Sequence, residues 1–216
     1  MDFQQRLDRL RDRIEGNLPP ASVSVMRRAT SELRQTGIED RVTRVGEQVK
    51  PFTLPNQDGD NVSLQELSSS GPVVVTFYRG VWCPYCNADL ENLQKHVDGL
   101  EKAGATLIAI SPEQAEFSRK MRRTRRLSFD ILVDKHNEVA ATFGLRWTVV
   151  DPLKSLYRDS LDINLSRYHG DDDWTLPIPA RFVIDGAGVV RYAEASADYT
   201  RRPDPDGLLD VVRGLC

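Results

Sequence analysis

The stretch Val73 to Leu100, V-V-V-T-F-Y-R-G-V-W-C-P-Y-C-N-A-D-L-E-N-L-Q-K-H-V-D-G-L, constrains the fold more than any other part of the chain. Its first six residues, Val73 to Tyr78, form an apolar, β-branched run, the pattern of a buried strand. Leu90, Leu93, Val97 and Leu100 then recur at steps of three and four, which predicts a helix with one apolar face. Between the two lies Trp82-Cys83-Pro84-Tyr85-Cys86. Pro84 suits the first helical position, where its missing N–H costs nothing. Cys83 then becomes the N-cap and Cys86 falls in the first turn. Unpaired backbone N–H groups and the positive end of the helix dipole stabilise a thiolate there, and Arg79 adds positive charge. Two cysteines so spaced can close a disulfide with little movement, so redox chemistry is the first expectation.

Two other uses of the pair fit the sequence less well. A zinc site needs a second Cys or Cys/His pair, whereas only Cys216 and the scattered His96, His136 and His169 remain. No metal or cofactor is therefore expected. Inert buried cysteines rarely sit at an electropositive strand-to-helix junction. Composition excludes further classes. A net charge of −3 over 216 residues argues against a dedicated nucleic-acid binder. No run of 18 apolar residues suggests a membrane span, and M-D-F-Q-Q-R-L-D-R-L-R-D-R-I lacks a signal core. Three cysteines suit a reducing cytoplasm better than a disulfide-stapled secreted fold, so a cytoplasmic location is expected.

Around the central stretch, Phe3, Leu7, Leu10 and Ile14 predict one amphipathic helix and Ser24 to Gln35 a second. Neither can bury much alone, so residues 1–43 read as a helical extension packed on the main domain or on a second subunit in a homodimer. Residues 44–216 read as one α/β domain. Gly46 to Leu67 predicts two strands around a turn at Asp58-Gly59. Ala105 to Ile110 is a strand, and Ser111-Pro112-Glu113 looks like an N-cap opening a helix. Phe129 to Val133 is a strand and Asn137 to Phe143 a helix. Asp151 to Pro177 reads as a long connection suited to an active-site wall. Ala180 to Ile184 and Val189 to Tyr192 form a hairpin, and a helix from about Asp206 closes the chain. Alternating strands and helices imply a largely parallel central sheet.

The order of elements, the W-C-x-x-C junction and a proline just before the hairpin resemble the thioredoxin fold. The pieces G-x-x-x-x-P-F-T-L, D-G-x-x-V-S-L, the F-Y strand end, I-S-P-E, I-L-V-D and F-V-I-D-G-A-G-V-V-R-Y resemble the peroxiredoxin (AhpC/TSA) family from about Gly46 to Tyr192. The resemblance is greatest to its branch with R-G-x-W-C-P-Y/F-C. It implies a central mixed sheet flanked by helices and a thiol-dependent peroxidase that reduces hydrogen peroxide or organic hydroperoxides. Re-reduction would come from an external thiol such as thioredoxin or glutathione. A thioredoxin-like protein-disulfide reductase and a non-catalytic redox sensor are the alternatives.

The departures from the family pattern define the expected site. In peroxiredoxins the peroxidatic cysteine lies eight residues beyond the strand-end aromatic, a position held here by Cys86. Cys83 stands in place of the family threonine, and Pro179 in place of its arginine. The acid that thioredoxins bury on the first core strand is replaced by Thr76. Pro179 matches instead the thioredoxin cis-proline, so a cis Ile178–Pro179 bond beside the cysteines is expected, at about 0.5–1 kcal/mol relative to trans. With no family arginine, peroxide reduction should be slow. An exposed N-cap favours Cys83 as the attacking thiolate, with Cys86 resolving, while the family count favours the reverse; both orders end in a Cys83–Cys86 disulfide. Arg79, Trp82, Pro84, Tyr85 and Pro179 are the supporting residues. Cys216 reads as a free thiol, Asp89 as a first-turn acid facing the helix dipole, and the basic run Lys120 to Arg126 as a solvated face.

Overall fold

The computed structural model describes residues 2–202 and 205–215; Cys216 lies outside them. The apolar run becomes the central strand of a five-stranded sheet. Two short strands, β1 (Thr53–Pro55) and β2 (Asn61–Ser63), form a hairpin ahead of that strand, β3 (Val73–Phe77). All five residues of β3 are buried, as a β-branched run with neighbours on both edges requires. It pairs in parallel with β4 (Thr106–Ser111), which pairs in parallel with β5 (Asp130–Val133). A small antiparallel pair, β6 (Arg146–Thr148) and β7 (Thr175–Pro177), stands apart. On the other edge of β3 lie β8 (Ala180–Ile184) and β9 (Val190–Ala195), both antiparallel to their neighbours. The order β5-β4-β3-β8-β9 is the mixed sheet of a thioredoxin-like α/β fold.

Helices cover both faces. The extension folds as α1 (Phe3–Gly16), capped by Asp2, and α2 (Pro20–Gln35), which starts on Pro20. Along the chain follow α3 (Leu64–Ser70), α4 (Pro84–Gln94), α5 (Val97–Lys102), α6 (Ala115–Arg125) and α7 (Glu138–Thr142). Then come α8 (Asp151–Ser160), α9 (Leu165–His169) and α10 (Asp206–Arg213). Phe3 and Leu7 of α1 join the core that also holds Leu90, Leu93, Val97 and Leu100. Met26 and Ala29 of α2 pack with Leu153, Leu156 and Tyr157 of α8.

Several expectations are corrected. The single helix after the cysteines is two, broken at Lys95-His96, where the His96 ring takes the Asn92 carbonyl at 2.9 Å. Val97 and Leu100 remain in the same core, which is why their spacing disguised the break. Ser111 caps no helix: it pairs with Val133, so β4 carries it through the sheet and α6 begins only at Ala115. The second strand expected before Leu67 gives way at Ser63, whose hydroxyl accepts the Glu66 N–H and opens α3, an S-x-x-E cap. The long connection from Asp151 contains α8 and α9. The basic run is partly tied down: Arg122 pairs with Asp58 at 3.4 Å and Arg125 with Glu91 at 2.6 Å.

Gly144 shows how closely the extension's connection approaches the domain. Its φ is +75°, and a Cβ there would lie 2.1 Å from the Arg41 carbonyl oxygen. Gly144→Ala should lower the unfolding free energy by about 2 kcal/mol or more, from the positive φ and the clash together. Urea titration checks this; an unchanged midpoint would mean that the backbone at Arg41 yields freely.

Candidate active site

The strand and helix of the central stretch set the cysteines at one end of the sheet. Cys83 is the N-cap of α4 with Pro84 at its first position, as the sequence predicts. The preceding turn is fixed from two sides. The Val81 N–H donates to Glu113 Oε2 at 2.8 Å, and Asn87 Nδ2 donates to the Val81 carbonyl at 3.1 Å. The exposed tip, however, is not found: Cys83 is only 1% exposed and Cys86 0%. The side chains of α1, α8 and the β9–α10 connection close over them, and no local pattern around Cys83 could reveal that cover.

Arg79, Trp82, Cys83, Pro84 and Tyr85 all line one largely apolar cavity of about 380 Å³. Leu10 and Ile14 of α1 wall it on one side, with Leu161 and Ile163, which follow α8, on another. Arg79 is held by aromatic faces. Its guanidinium carbon lies 4.2 Å from the Tyr199 ring centroid and 4.7 Å from that of Trp82, and Nη2 donates to the Tyr157 hydroxyl at 2.9 Å. Such cation–π contacts strengthen when desolvated. Among the described residues no carboxylate pairs with Arg79.

A second cation approaches from a part of the chain that carried no signal. Arg202 Nη2 lies 3.2 Å from Cys86 Sγ, and its Nε lies 3.2 Å from Asp89 Oδ2. Arg181 of β8 donates to the other oxygen of Asp89 at 2.7 Å. Asp89 is therefore no solvated first-turn acid; it is a buried carboxylate shared by two guanidinium groups. The family arginine missing at position 179 is thus matched by arginines reaching the site from elsewhere: Arg79, Arg181 and Arg202.

These contacts split the two thiols. Burial pushes Cys83 up, but the Cys86 hydrogen bond, Arg79 and Arg202 together outweigh it and lower its pKa to about 5. Burial and the bond to Cys83 push Cys86 well above the ordinary thiol range. The two shifts run in opposite directions and favour Cys83 as the thiolate of the pair, with Cys86 as the thiol that donates to it.

Pro179 is corrected. No peptide bond among the described residues is cis. The Ile178 N–H donates to the Leu145 carbonyl and the Pro179 carbonyl accepts from Ser196, so hydrogen bonds on both sides hold the chain extended between β7 and β8. Pro179 lines a neighbouring cleft with Arg79, Tyr157 and Tyr199. The expectation of slow peroxide reduction loses both its supports, the cis bond and the missing cation. Tyr85 is buried yet borders the cavity, 5.6 Å from the Tyr199 ring. Away from the site, His136, Asp171 and Asp173 come together, with Nδ1 2.6 Å from Asp173, as a surface ion-pair cluster.

Arg79→Met and Arg202→Met should each raise the Cys83 pKa by about one unit or more, since each removes an opposite charge from a desolvated thiolate. Ultraviolet thiolate absorbance against pH reads this directly. In the native protein the reactive form is lost as pH falls through about 5, so the alkylation rate should be flat above that value and drop below it.

The chain is similar to several known proteins. Peroxiredoxin Bcp of Escherichia coli is 30% identical over 102 residues, 47% of this chain and 65% of that protein. The thiol-disulfide oxidoreductase ResA of Halalkalibacterium halodurans is 30% identical over 106 residues, 49% of this chain and 59% of that one. The crystal structure of peroxidoxin BcpB from Mycobacterium tuberculosis superimposes with a TM-score of 0.63 at 24% identity, covering 81% of this chain and 99% of that one. Residues 45–193 match the AhpC/TSA family, and the chain belongs to that family.

Proposed function

We propose that the Cys83–Cys86 pair carries the thiol-dependent peroxidase chemistry of this AhpC/TSA protein, with hydrogen peroxide or organic hydroperoxides as substrates. The observation that carries the reading is the Cys83 thiolate, held beside Arg79 and Arg202 and open to an apolar cavity. The thiolate attacks the terminal peroxide oxygen, the O–O bond breaks, and Cys83 becomes a sulfenic acid as the alcohol or water leaves. Donors aimed at the departing oxygen stabilise its developing charge, a role that fits Arg79. The Cys86 thiol then attacks the sulfenic sulfur and releases water, closing the disulfide. A thiol reductant reopens it, and thioredoxin or glutathione is the proposed source in a reducing cytoplasm.

In this reading residues 44–216 form the catalytic unit and residues 1–43 wall its cavity. The apolar lining favours organic hydroperoxides over hydrogen peroxide. Disulfide reduction is the second reading, supported by the likeness to ResA; insulin reduction by the dithiol form separates the two. A homodimer through α1 and α2 would show in solution sizing.

Cys83→Ser should abolish hydroperoxide consumption. Cys86→Ser should consume one equivalent and stop at a sulfenic acid that dimedone traps. Mild oxidation of the native chain should give one intramolecular disulfide by peptide mapping. Full turnover by Cys83→Ser would reverse the roles assigned to the two cysteines.

A further inference from the structure

Glu113 is a buried acid behind the cysteine loop that the chemistry above does not use. It sits in the turn after β4, with 0% exposure. Oε2 accepts only the Val81 N–H, two residues before Cys83, and Oε1 is buried without a protein hydrogen-bond partner. Among the described residues no cation pairs with it. Gly80 holds the space open: a Cβ there would lie 2.7 Å from Glu113 Oε1 and 2.4 Å from Trp82 Nε1, itself a buried donor without an acceptor. An orphaned acceptor and an orphaned donor therefore meet at the same bare α-carbon. Leaving such atoms unpaired is costly, and ionising an unpaired buried carboxyl is costlier still.

Stoichiometry gives this acid a task. Two-electron reduction of a hydroperoxide to an alcohol and water consumes two protons. Cys86 releases one as the disulfide closes. Cys83, already a thiolate, has none to give. We propose that Glu113 holds the second proton, being a neutral acid in the dithiol state and a carboxylate in the disulfide state. The balance is Cys83–S⁻ + Cys86–SH + Glu113–COOH + ROOH → Cys83–S–S–Cys86 + Glu113–COO⁻ + ROH + H₂O. Net charge is conserved inside the protein: the thiolate's negative charge is lost and the carboxylate's appears. Trp82 Nε1, an unpaired donor bordering the same bare α-carbon, faces the space beside the new anion.

The groups facing Glu113 act in both directions, and their balance is upward. Burial first, and the Cys83 thiolate next among the raising causes, push its pKa up to about 8, against the Val81 N–H and Lys120 of α6, which pull it down. Tyr78, just after β3, and Tyr168 of α9 are pushed up by burial first and by Glu113 next, so both remain neutral beside it. Removing the thiolate removes a raising cause, which favours proton release on oxidation. Glu113 does not touch the hydroperoxide: the proton it releases on oxidation passes to solvent, the departing oxygen takes its proton from solvent in the cavity, and the net exchange with bulk is zero.

The proposal rests on the dithiol reading above, and two measurements separate their failures. An infrared difference spectrum between the dithiol and disulfide forms, poised with reduced and oxidised dithiothreitol, needs no peroxide. It should lose the carbonyl band of a protonated carboxylic acid on oxidation, and Glu113→Gln should lack that change. No such band in the wild type overturns the proposal whatever the variant does. In the second arm, one equivalent of cumene hydroperoxide is added in weak buffer between the two values, about 5 for Cys83 and about 8 for Glu113. The wild type should take up no proton from solvent, and Glu113→Gln should take up one per chain, with thiolate absorbance verifying ionised Cys83 in both. Equal uptake overturns the proposal. Unconsumed cumene hydroperoxide would instead sink the peroxidase reading and leave the infrared result to judge Glu113.

Discussion

Buried positive charge around the start of α4 organises this site. Arg181 and Arg202 both pair with Asp89, and Arg79 lies between aromatic rings with no carboxylate partner among the described residues. Burying guanidinium groups is tolerable only when their charge is answered within a few ångströms. Asp89 answers part of it, and the Cys83 thiolate answers more. The same electrostatics that lower the Cys83 pKa therefore help to hold the site together.

That arrangement needs parts from distant segments. β3 and α4 provide Arg79, the cysteines and Asp89; β8 provides Arg181; the chain after β9 provides Tyr199 and Arg202; α8 provides Tyr157. The parallel crossovers and the β8–β9 hairpin bring these ends together at one end of the sheet. The helices of the extension then remove water from above. A thiolate so enclosed interacts with its arginines at a lower effective dielectric than at an open helix terminus. The cost is access, which is left to the apolar cavity between α1 and the segment after α8. A hydroperoxide can enter such a cavity, whereas a folded disulfide substrate would first have to displace α1.

The site also differs from an open dithiol in its second layer. Val81, held by Glu113, and Asn87, bonded back to Val81, fix the turn so that Cys83 meets the helix N-terminus with little freedom. Preorganisation of this kind places the nucleophile before substrate arrives. The trans Ile178–Pro179 bond belongs to the same picture. With extended chain on both sides, the region carries sheet hydrogen bonds, and the cations beside the cysteines are Arg79 and Arg202 instead.

What the sequence by itself determined was local. The β-branched run made β3, Pro84 set the start of α4, and the C-x-x-C spacing placed Cys83 at the cap; the strand order implied a largely parallel sheet, whereas the family resemblance implied the mixed sheet that forms. Each depends on residues close together in the chain, where period and capping chemistry are readable. The motif order likewise carried the AhpC/TSA resemblance. The burial of Cys83, the salt-bridged Asp89, the recruitment of Arg202 and the buried Glu113 were decided only in three dimensions. Ser111-Pro112-Glu113 has the form of a helix start, yet pairing of Ser111 with Val133 keeps it in the sheet and turns Glu113 inward. Arg202 has no pattern at all around it; its meaning lies in a sulfur 116 positions away in sequence and 3.2 Å away in space. Charge and burial are sums over all neighbours, and most of those neighbours are contributed by other segments of the fold.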